Sequence, residues 1–248
     1  MAHVPEATPQ DAVQIVTVAT AEAGEPLVAS LHARLSPHEQ ARAARFVRPA
    51  DRRTYVIAHA LVRVTLSEHA PRAPDAWQFA TGVHGRPAIA APPAGAEGLT
   101  FSLSHTSGLA AVAVTRRRSI GVDVEQVTRA VSERVAEARF APAEIQALRA
   151  LPADERRRAF FDYWTLKEAY VKARGHGLTL PLDGFAFTIA GDVPPAIAFA
   201  AGTDDRAERW QFHLSWPTAE HRLALAVERE GPDLPIAWRA TTAEALCP

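Results

Sequence analysis

Apolar positions along the chain recur at helical spacing in two long segments and at strand-like alternation in several short ones. The segment 36–68 reads as helical, and its start at Ser36 has Glu39 three residues later, which is the spacing of a capping box. The segment 154–174 reads as a second long helix, and Gly175 is placed to end it. Both segments therefore predict helices whose apolar sides face a core.

The remaining periodic segments predict strands and one interrupted helix. Residues 133–149 are helical in pattern, with a break near Pro142. Alternating or continuous apolar runs predict strands at Phe101–Ser104, Leu109–Val114, Ile120–Glu125 and Pro181–Ile189. Strands and helices mixed in this way predict an α+β or α/β architecture.

The chain repeats one pattern of helix followed by hairpin. FSLSHTSGLAAVAVTRR, from Phe101, is echoed by FHLSWPTAEHRLALAVERE, from Phe212. A helix-like stretch precedes each copy at a similar distance: TYVIAHALVRV from Thr54 and YWTLKEAYVKA from Tyr163. A repeat this long indicates two related halves and not a solenoid. We expect the halves to be residues 1–118 and 119–248.

Composition narrows the class of protein. With 248 residues, 48% hydrophobic residues and 22% charged residues, the chain is suited to a folded core and not to disorder. A net charge of -1 gives no sign of a nucleic-acid or membrane-surface protein. The start of the chain has no secretory signal, and no apolar run reaches the roughly 20 residues that span a bilayer. We expect a cytoplasmic protein whose single cysteine, Cys247, is inert.

Two carboxylates lie on one side of a predicted strand. In the run Ile120–Glu125, side chains alternate, so Gly121, Asp123 and Glu125 share one face. Such carboxylates repel each other unless a cation or solvent lies between them, and hard oxygen donors suit Mg²⁺. The small Gly121 leaves room for a ligand to approach. An amphipathic strand facing solvent would have the same pattern.

The only two lysines among 27 basic residues, Lys167 and Lys172, lie in one helical segment. Trp164, Glu168 and Lys172 are four residues apart and form one stripe along this helix. Lysine differs from arginine where a compact charge or a transferable proton is needed, so the pattern favours a functional role. A Glu–Lys pair on a solvated helix face is the alternative.

A third candidate is the turn Ser104-His105-Thr106, where hydroxyl, imidazole and backbone N–H groups can hold a phosphate. A surface histidine without such a role is also compatible with this segment, since the chain has 10 histidines.

Together these segments resemble the Sfp-type 4′-phosphopantetheinyl transferases. That family combines a G-x-D-x-E strand with a W-x-x-K-E-A-x-x-K helix, which here are GVDVE (Gly121–Glu125) and WTLKEAYVK (Trp164–Lys172). The resemblance also covers four further segments: SPHEQARAARF (Ser36–Phe46), GRP (Gly85–Pro87), FSLSHT (Phe101–Thr106) and GHGLTLPLDGF (Gly175–Phe185). It extends over most of residues 36–187 and is looser at both ends.

The resemblance implies a pseudo-twofold monomer of two similar α/β halves with coenzyme A in the cleft between them. It implies transfer of the 4′-phosphopantetheine arm of coenzyme A to a serine of an acyl- or peptidyl-carrier protein. Asp123, Glu125 and Glu168 would hold Mg²⁺. Glu168 would also be the base, with Lys172 and Lys167 near the transferring phosphate.

The resemblance also implies the residues that contact coenzyme A, which are Arg45, Arg53, Arg86, Ser104, His105, Asp123, Lys167 and Lys172. Two positions depart from the family pattern. Arg86 replaces a frequent lysine and presents a planar fork in its place. Glu39 stands where some relatives carry a base, which leaves Arg42 or Arg45 to contact the 3′-phosphate.

Two other functions are compatible with parts of the pattern. A metal-dependent nuclease or phosphohydrolase can also use D-x-E with a nearby lysine, but no segment looks like an aromatic-laced basic groove. A non-catalytic module that binds carrier proteins would be expected to have lost a metal carboxylate, and all three are present.

Overall fold

The computed structural model describes residues 12–82, 87–175, 177, 180–191 and 193–247. The chain folds as two compact units. The first unit contains the described residues up to Arg118 together with those from Leu234 onward, and the second unit is Ser119–Asp233.

Six helices and eleven strands are present in the described residues. The helices are α1 (Glu25–Ala33), α2 (Pro37–Ala43), α3 (Pro49–Ser67), α4 (Glu133–Arg139), α5 (Pro142–Ala150) and α6 (Ala153–Arg174). The strands are β1 (Val13–Ala19), β2 (Phe79–Thr81), β3 (Pro87–Ile89), β4 (Leu99–Thr106), β5 (Leu109–Arg116), β6 (Ile120–Gln126), β7 (Phe185–Thr188), β8 (Ala196–Phe199), β9 (Trp210–Thr218), β10 (His221–Glu228) and β11 (Ile236–Thr241).

The first unit is a four-stranded sheet in the order β11-β1-β5-β4, with α3 packed against it. Strand β5 is antiparallel to both β1 and β4, whereas β11 is parallel to β1. The core contains apolar side chains of α3 and of the sheet, including Leu61, Leu66, Val16, Val112 and Val114. Strands β2 and β3 form a separate small hairpin.

The second unit is a three-stranded antiparallel sheet in the order β6-β10-β9, with α6 packed on β6 and β10. Its core is aromatic, since Phe161 and Tyr170 of α6 lie in one cluster with Phe185 and Phe212. Strands β7 and β8 form a two-stranded hairpin. Helix α6 therefore supplies both core residues and the side chains of the predicted site.

The two units repeat the same order of elements. Each contains, in order, a strand, three helices of which the third is the longest, and two hairpins, and the first unit also includes β11. Strand order agrees too, because β1-β5-β4 in the first unit corresponds to β6-β10-β9 in the second. The predicted mixed α/β class and its two similar halves are confirmed.

The end of the chain differs from the prediction. The second half was expected to run to residue 248, with the last strands completing its sheet, but residues from Leu234 belong to the first unit. The reason is the parallel pairing of β11 with β1, which joins Val13 to Ile236 and Val18 to Thr241. Strand β1 was not predicted.

Most helix ends follow the sequence signals. Ser36 accepts a hydrogen bond from the Glu39 N–H, and the Glu39 carboxylate accepts one from the Ser36 N–H, as the capping box predicts. Gly175 ends α6 in a left-handed conformation with φ 69°. The predicted helix 36–68 is two helices, because Pro49 starts a new one.

No helix within the described ranges has the length and hydrophobicity needed to cross a membrane.

Candidate active site

The second unit positions its polar side chains where β6 packs against α6. The Gly121 face of β6 is turned toward α6, and a Cβ atom added at Gly121 would lie 2.0 Å from the Ala169 carbonyl oxygen and 2.5 Å from the Ala173 nitrogen. Glycine is therefore needed for the approach of the helix backbone. The expected space for a ligand at this position is taken by α6 itself.

Gly121→Ala is expected to lower the free energy of unfolding by at least about 1–3 kcal/mol, because backbone atoms of α6 would have to move. Urea denaturation of the purified variant would measure this loss. Gly184→Ala is the matched control, since a Cβ atom there would meet nothing within 4 Å. Equal stability of the two variants would contradict the close packing at Gly121.

The two strand carboxylates each meet a polar group of α6. Lys172 Nζ lies 2.7 Å from Asp123 Oδ1 and donates a 3.1 Å hydrogen bond to the Val122 carbonyl. The Trp164 indole N–H donates to Glu125 Oε1 at 3.1 Å. The stripe of residues four apart on α6 therefore runs along the carboxylate face of β6.

Glu168 lies on this stripe between the residues that contact the two strand carboxylates. Burial and the negative charge of Asp123 raise the pKa of Glu168 to about 7, and Glu125 acts in the same direction. The charge of Lys172 opposes this shift. Three carboxylates and one lysine therefore share one electrostatic environment, in which a near-neutral proton acceptor is available.

The donor set is chemically suited to Mg²⁺, which binds one or two protein carboxylates and fills its other positions with water and phosphate oxygens. Burial is the largest cause of the raised pKa of Glu168, and the charges of Asp123 and Glu125 raise it further, while those of Lys172 and Arg139 lower it. However, no group of three or more His, Cys, Asp or Glu side chains in the described part of the chain forms an arrangement that could hold a metal ion. Internal cations contact two of the carboxylates instead, since Lys172 meets Asp123 and Arg129 meets Glu125.

Lys167 lies apart from this group. Its side chain has 0% exposure, and its ammonium is 2.8 Å from Glu144 Oε2. It also donates hydrogen bonds to the carbonyls of Leu182 and Phe185, at 2.6 Å and 2.7 Å. With its donors directed at these three oxygens, Lys167 joins α6 to α5 and to the start of β7. This placement argues against the predicted contact between Lys167 and a phosphate.

The first unit contains a cleft of about 1000 Å³. His105 lies on its wall at the exposed end of β4, with its ring edge-on to Tyr55 at 6.4 Å between ring centroids. Arg42 also lines the cleft. Aromatic side chains form much of the remaining wall: Phe46, Tyr55, Trp77, Phe79 and Phe101. A cleft of this kind suits a planar, partly apolar ligand with an anionic group.

The other residues of the first unit that were predicted to contact coenzyme A differ in their exposure. Arg53 is half-buried on α3, and its Nε atom is buried without a hydrogen-bond partner among the described residues. Arg45 is exposed, and Ser104 is buried on the strand. Arg86 lies outside the described residues.

Sequence reasoning missed the partners of Glu39. Its carboxylate accepts hydrogen bonds from His59 at 2.8 Å and from Arg63 at 2.5 Å. Burial alone would raise the pKa of Glu39, but the hydrogen bonds from His59 and Ser36 and the charge of Arg63 lower it to about 2. Glu39 is thus a fixed anion between α2 and α3. The spacing of His59 and Arg63, four apart on a predicted helix, was a usable signal.

Glu144 and Arg129 were also missed. Glu144 is fully buried, and its carboxylate accepts hydrogen bonds from the N–H groups of Ala141 and Phe187, both at 2.8 Å. Glu144 is three residues after Ala141 at the start of α5, which is the position of a helix-capping glutamate. Arg129 follows Glu125 by four residues and contacts both of its oxygens.

Fold and site together define a duplicated α+β protein whose second unit carries an acidic strand facing a helix with a glutamate and a lysine. The profile of the 4′-phosphopantetheinyl transferase superfamily matches residues 119–227, and that of the 4′-phosphopantetheinyl transferase N-terminal region matches residues 24–117. The chain belongs to the 4′-phosphopantetheinyl transferase superfamily, and the family predicted from the sequence is confirmed.

Three relatives illustrate the match. The 4′-phosphopantetheinyl transferase HetI of Nostoc sp. is 37% identical over 155 residues, which are 62% of this chain and 65% of that protein. The 4′-phosphopantetheinyl transferase Sfp of Bacillus subtilis is 30% identical over 158 residues, covering 64% of this chain and 68% of Sfp. A phosphopantetheinyl transferase of Thraustochytrium sp. is 31% identical over 228 residues, covering 85% of this chain and 77% of that protein. The match therefore spans just under two thirds of HetI.

Proposed function

We propose that this chain transfers the 4′-phosphopantetheine moiety of coenzyme A to a serine hydroxyl of an apo acyl- or peptidyl-carrier protein. The observation that carries the proposal is the β6–α6 pair, which brings Asp123, Glu125, Glu168 and Lys172 into one electrostatic group. The family membership of both units supports it. Because the two halves are joined in one chain, we infer that the protein works as a monomer.

The reaction is an in-line displacement at phosphorus. The serine oxygen attacks the β-phosphorus of coenzyme A, and the bond from this phosphorus to the bridging oxygen breaks. Adenosine 3′,5′-bisphosphate leaves with that oxygen, and the arm stays on the serine. Such transfers depend mainly on alignment and on neutralising the phosphate oxygens.

Glu168 is our candidate for the base that takes the serine proton, directly or through a water. It lies among the carboxylates that would face the pyrophosphate, and a base in such a site is most effective when its proton affinity matches neutral pH. Asp123, Glu125 and Glu168 are the residues that would hold Mg²⁺. When bound, the ion would supply positive charge that neutralises the pyrophosphate oxygens.

Lys172 is our candidate for the cation that meets the transferring phosphate. Its side chain is 30% exposed, so its ammonium can reach a ligand while it stays beside Asp123. A compact ammonium with three donors can serve the Asp123 carboxylate and a phosphate oxygen at once, and it can give a proton to the leaving group. Lys167 is not included in this set, because its ammonium is enclosed by protein oxygens.

Lys172→Arg is expected to lower the transfer rate on the order of tenfold or more, although the positive charge is kept. The planar guanidinium is larger and cannot repeat the ammonium's contacts with Asp123 Oδ1 and the Val122 carbonyl, so alignment is lost. Single-turnover rates of the variant and the wild type would measure this effect. An unchanged rate would mean that the retention of lysine here is coincidental.

The nucleotide part of coenzyme A would bind in the cleft of the first unit. His105 and Arg42 line that cleft, and Arg53 belongs to the same unit. These residues, together with the predicted Arg45, Arg86 and Ser104, are the candidates for contacting the phosphates and the adenosine. Carrier proteins of fatty-acid, polyketide and peptide-synthetase systems are all candidate acceptors of the arm.

The test is intact-mass spectrometry of several apo carrier proteins incubated with the enzyme, coenzyme A and Mg²⁺. We expect the mass of the arm to be added to one serine, and we expect EDTA to abolish the addition. A phosphohydrolase would degrade coenzyme A or release phosphate without modifying the carrier. A binding module would give a complex without any gain in mass. Either of those outcomes would overturn the proposal.

A further inference from the structure

Arg129 forms a two-pronged contact with one of the proposed metal-binding carboxylates. Its Nε atom donates to Glu125 Oε2 and its Nη2 atom to Glu125 Oε1, both at 3.1 Å. The guanidinium also lies 5.2 Å from the ring centroid of Phe161 on α6. Both oxygens of Glu125 are therefore engaged by the same cation.

Glu125 has little capacity left for a further ligand while this contact exists. Its Oε1 atom also accepts the indole N–H of Trp164, so three of about four acceptor positions of the carboxylate are used. The side chain of Glu125 is only 18% exposed, whereas that of Arg129 is 41% exposed. A divalent ion that binds Glu125 therefore competes with Arg129 for the same two oxygens.

The position of Arg129 allows this exchange. Arg129 follows β6 outside any helix or strand, unlike Lys172, which is fixed on α6. The Arg129 side chain is 41% exposed, so water can replace the carboxylate as the partner of its guanidinium. The Trp164 hydrogen bond can remain and keep the carboxylate oriented.

We propose that Arg129 is an internal counter-ion that competes with a divalent metal for Glu125 and thereby sets the metal affinity of the site. The inference rests on the proposed function, which assigns Glu125 to the metal. Arg129 holds Glu125 neutralised until the metal arrives, and each metal ion bound at Glu125 releases the guanidinium to solvent. The apparent metal affinity is then the intrinsic affinity multiplied by the fraction of molecules in which the Arg129–Glu125 pair is open.

The test measures binding of Mn²⁺ alone by electron paramagnetic resonance of the free ion, without coenzyme A or turnover. Arg129→Gln is expected to bind Mn²⁺ about two- to tenfold more tightly than the wild type. Arg149→Gln is the matched control, since Arg149 is an exposed arginine of the same unit paired with Glu137. It should leave Mn²⁺ affinity unchanged.

A second pair of variants separates competition for Glu125 from a general effect of charge. In a Glu125→Gln background, removing Arg129 should no longer tighten Mn²⁺ binding, because the shared carboxylate is gone. If Arg129→Gln tightens binding equally in both backgrounds, or does not tighten it at all, the counter-ion role is wrong. If the wild type binds Mn²⁺ with an affinity that Glu125→Gln does not alter, the metal assignment of the proposed function is wrong instead.

Discussion

Replacing Glu168 with glutamine is expected to lower the rate of phosphopantetheine transfer by about 10²- to 10⁴-fold, which is the contribution typical of a positioned general base. Glutamine keeps the shape of the side chain but cannot accept the serine proton, and it removes one anionic oxygen donor from the proposed metal site. Single-turnover mass spectrometry of a carrier protein would measure the rate.

The matched control is Glu155→Gln, which makes the same chemical change at an exposed position of α6. We expect normal transfer by this variant. Transfer at a near-normal rate by Glu168→Gln would contradict both the base and the metal-binding assignment of this residue. If Glu168→Gln needed more Mg²⁺ but reached the normal rate at high Mg²⁺, Glu168 would bind the metal without acting as the base.

Lys167→Met is expected to lower the free energy of unfolding by about 3–5 kcal/mol, because it leaves a fully buried carboxylate without its cation. Glu144 and Lys167 both have side chains with 0% exposure, and their charged groups are 2.8 Å apart. The same change removes the two hydrogen bonds that the ammonium donates to the carbonyls of Leu182 and Phe185. Urea denaturation would measure the loss.

Two comparisons make this prediction specific. Arg157→Met, at an exposed position of the same helix, should change stability only slightly. Adding Glu144→Gln to Lys167→Met should recover part of the loss, since the uncompensated charge is removed. If Lys167→Met instead kept full stability and lost transfer, the lysine would act at the phosphate, as the sequence first indicated.

The sequence predicted the elements whose local signals are strong. The capping box at Ser36, the break at Pro142 and the left-handed Gly175 are all set by residues within one turn of the feature they define. The repeat was visible because each half must bury the same helix against the same kind of hairpin. Local chemistry and duplication therefore sufficed to predict the mixed α/β architecture and its two similar halves.

The pairing of β11 with β1 could not be predicted in this way. The two strands come from opposite ends of the chain, and no turn between them fixes their register. The prediction assigned the last strand to the second half because it comes last in the sequence. In the structure this strand belongs to the first unit, because it pairs with the edge of that unit's sheet at β1.

The roles of the two lysines could have been separated from the sequence. Lys167 and Lys172 are five residues apart, which places them about 140° apart around a helix. They therefore lie on different faces, and only Lys172 shares the stripe with Trp164 and Glu168. The buried partner of Lys167 was harder to predict, because Glu144 lies on another helix. In the sequence it looks like an ordinary glutamate in the first turn of that helix.

Binding of one divalent ion by three carboxylates can be observed directly through the anomalous diffraction of Mn²⁺ in crystals grown with coenzyme A. We expect one peak that contacts carboxylate oxygens of Asp123, Glu125 and Glu168 together with oxygens of the pyrophosphate. A peak at another place, or coenzyme A bound with none of these three carboxylates near its pyrophosphate, would contradict this expectation.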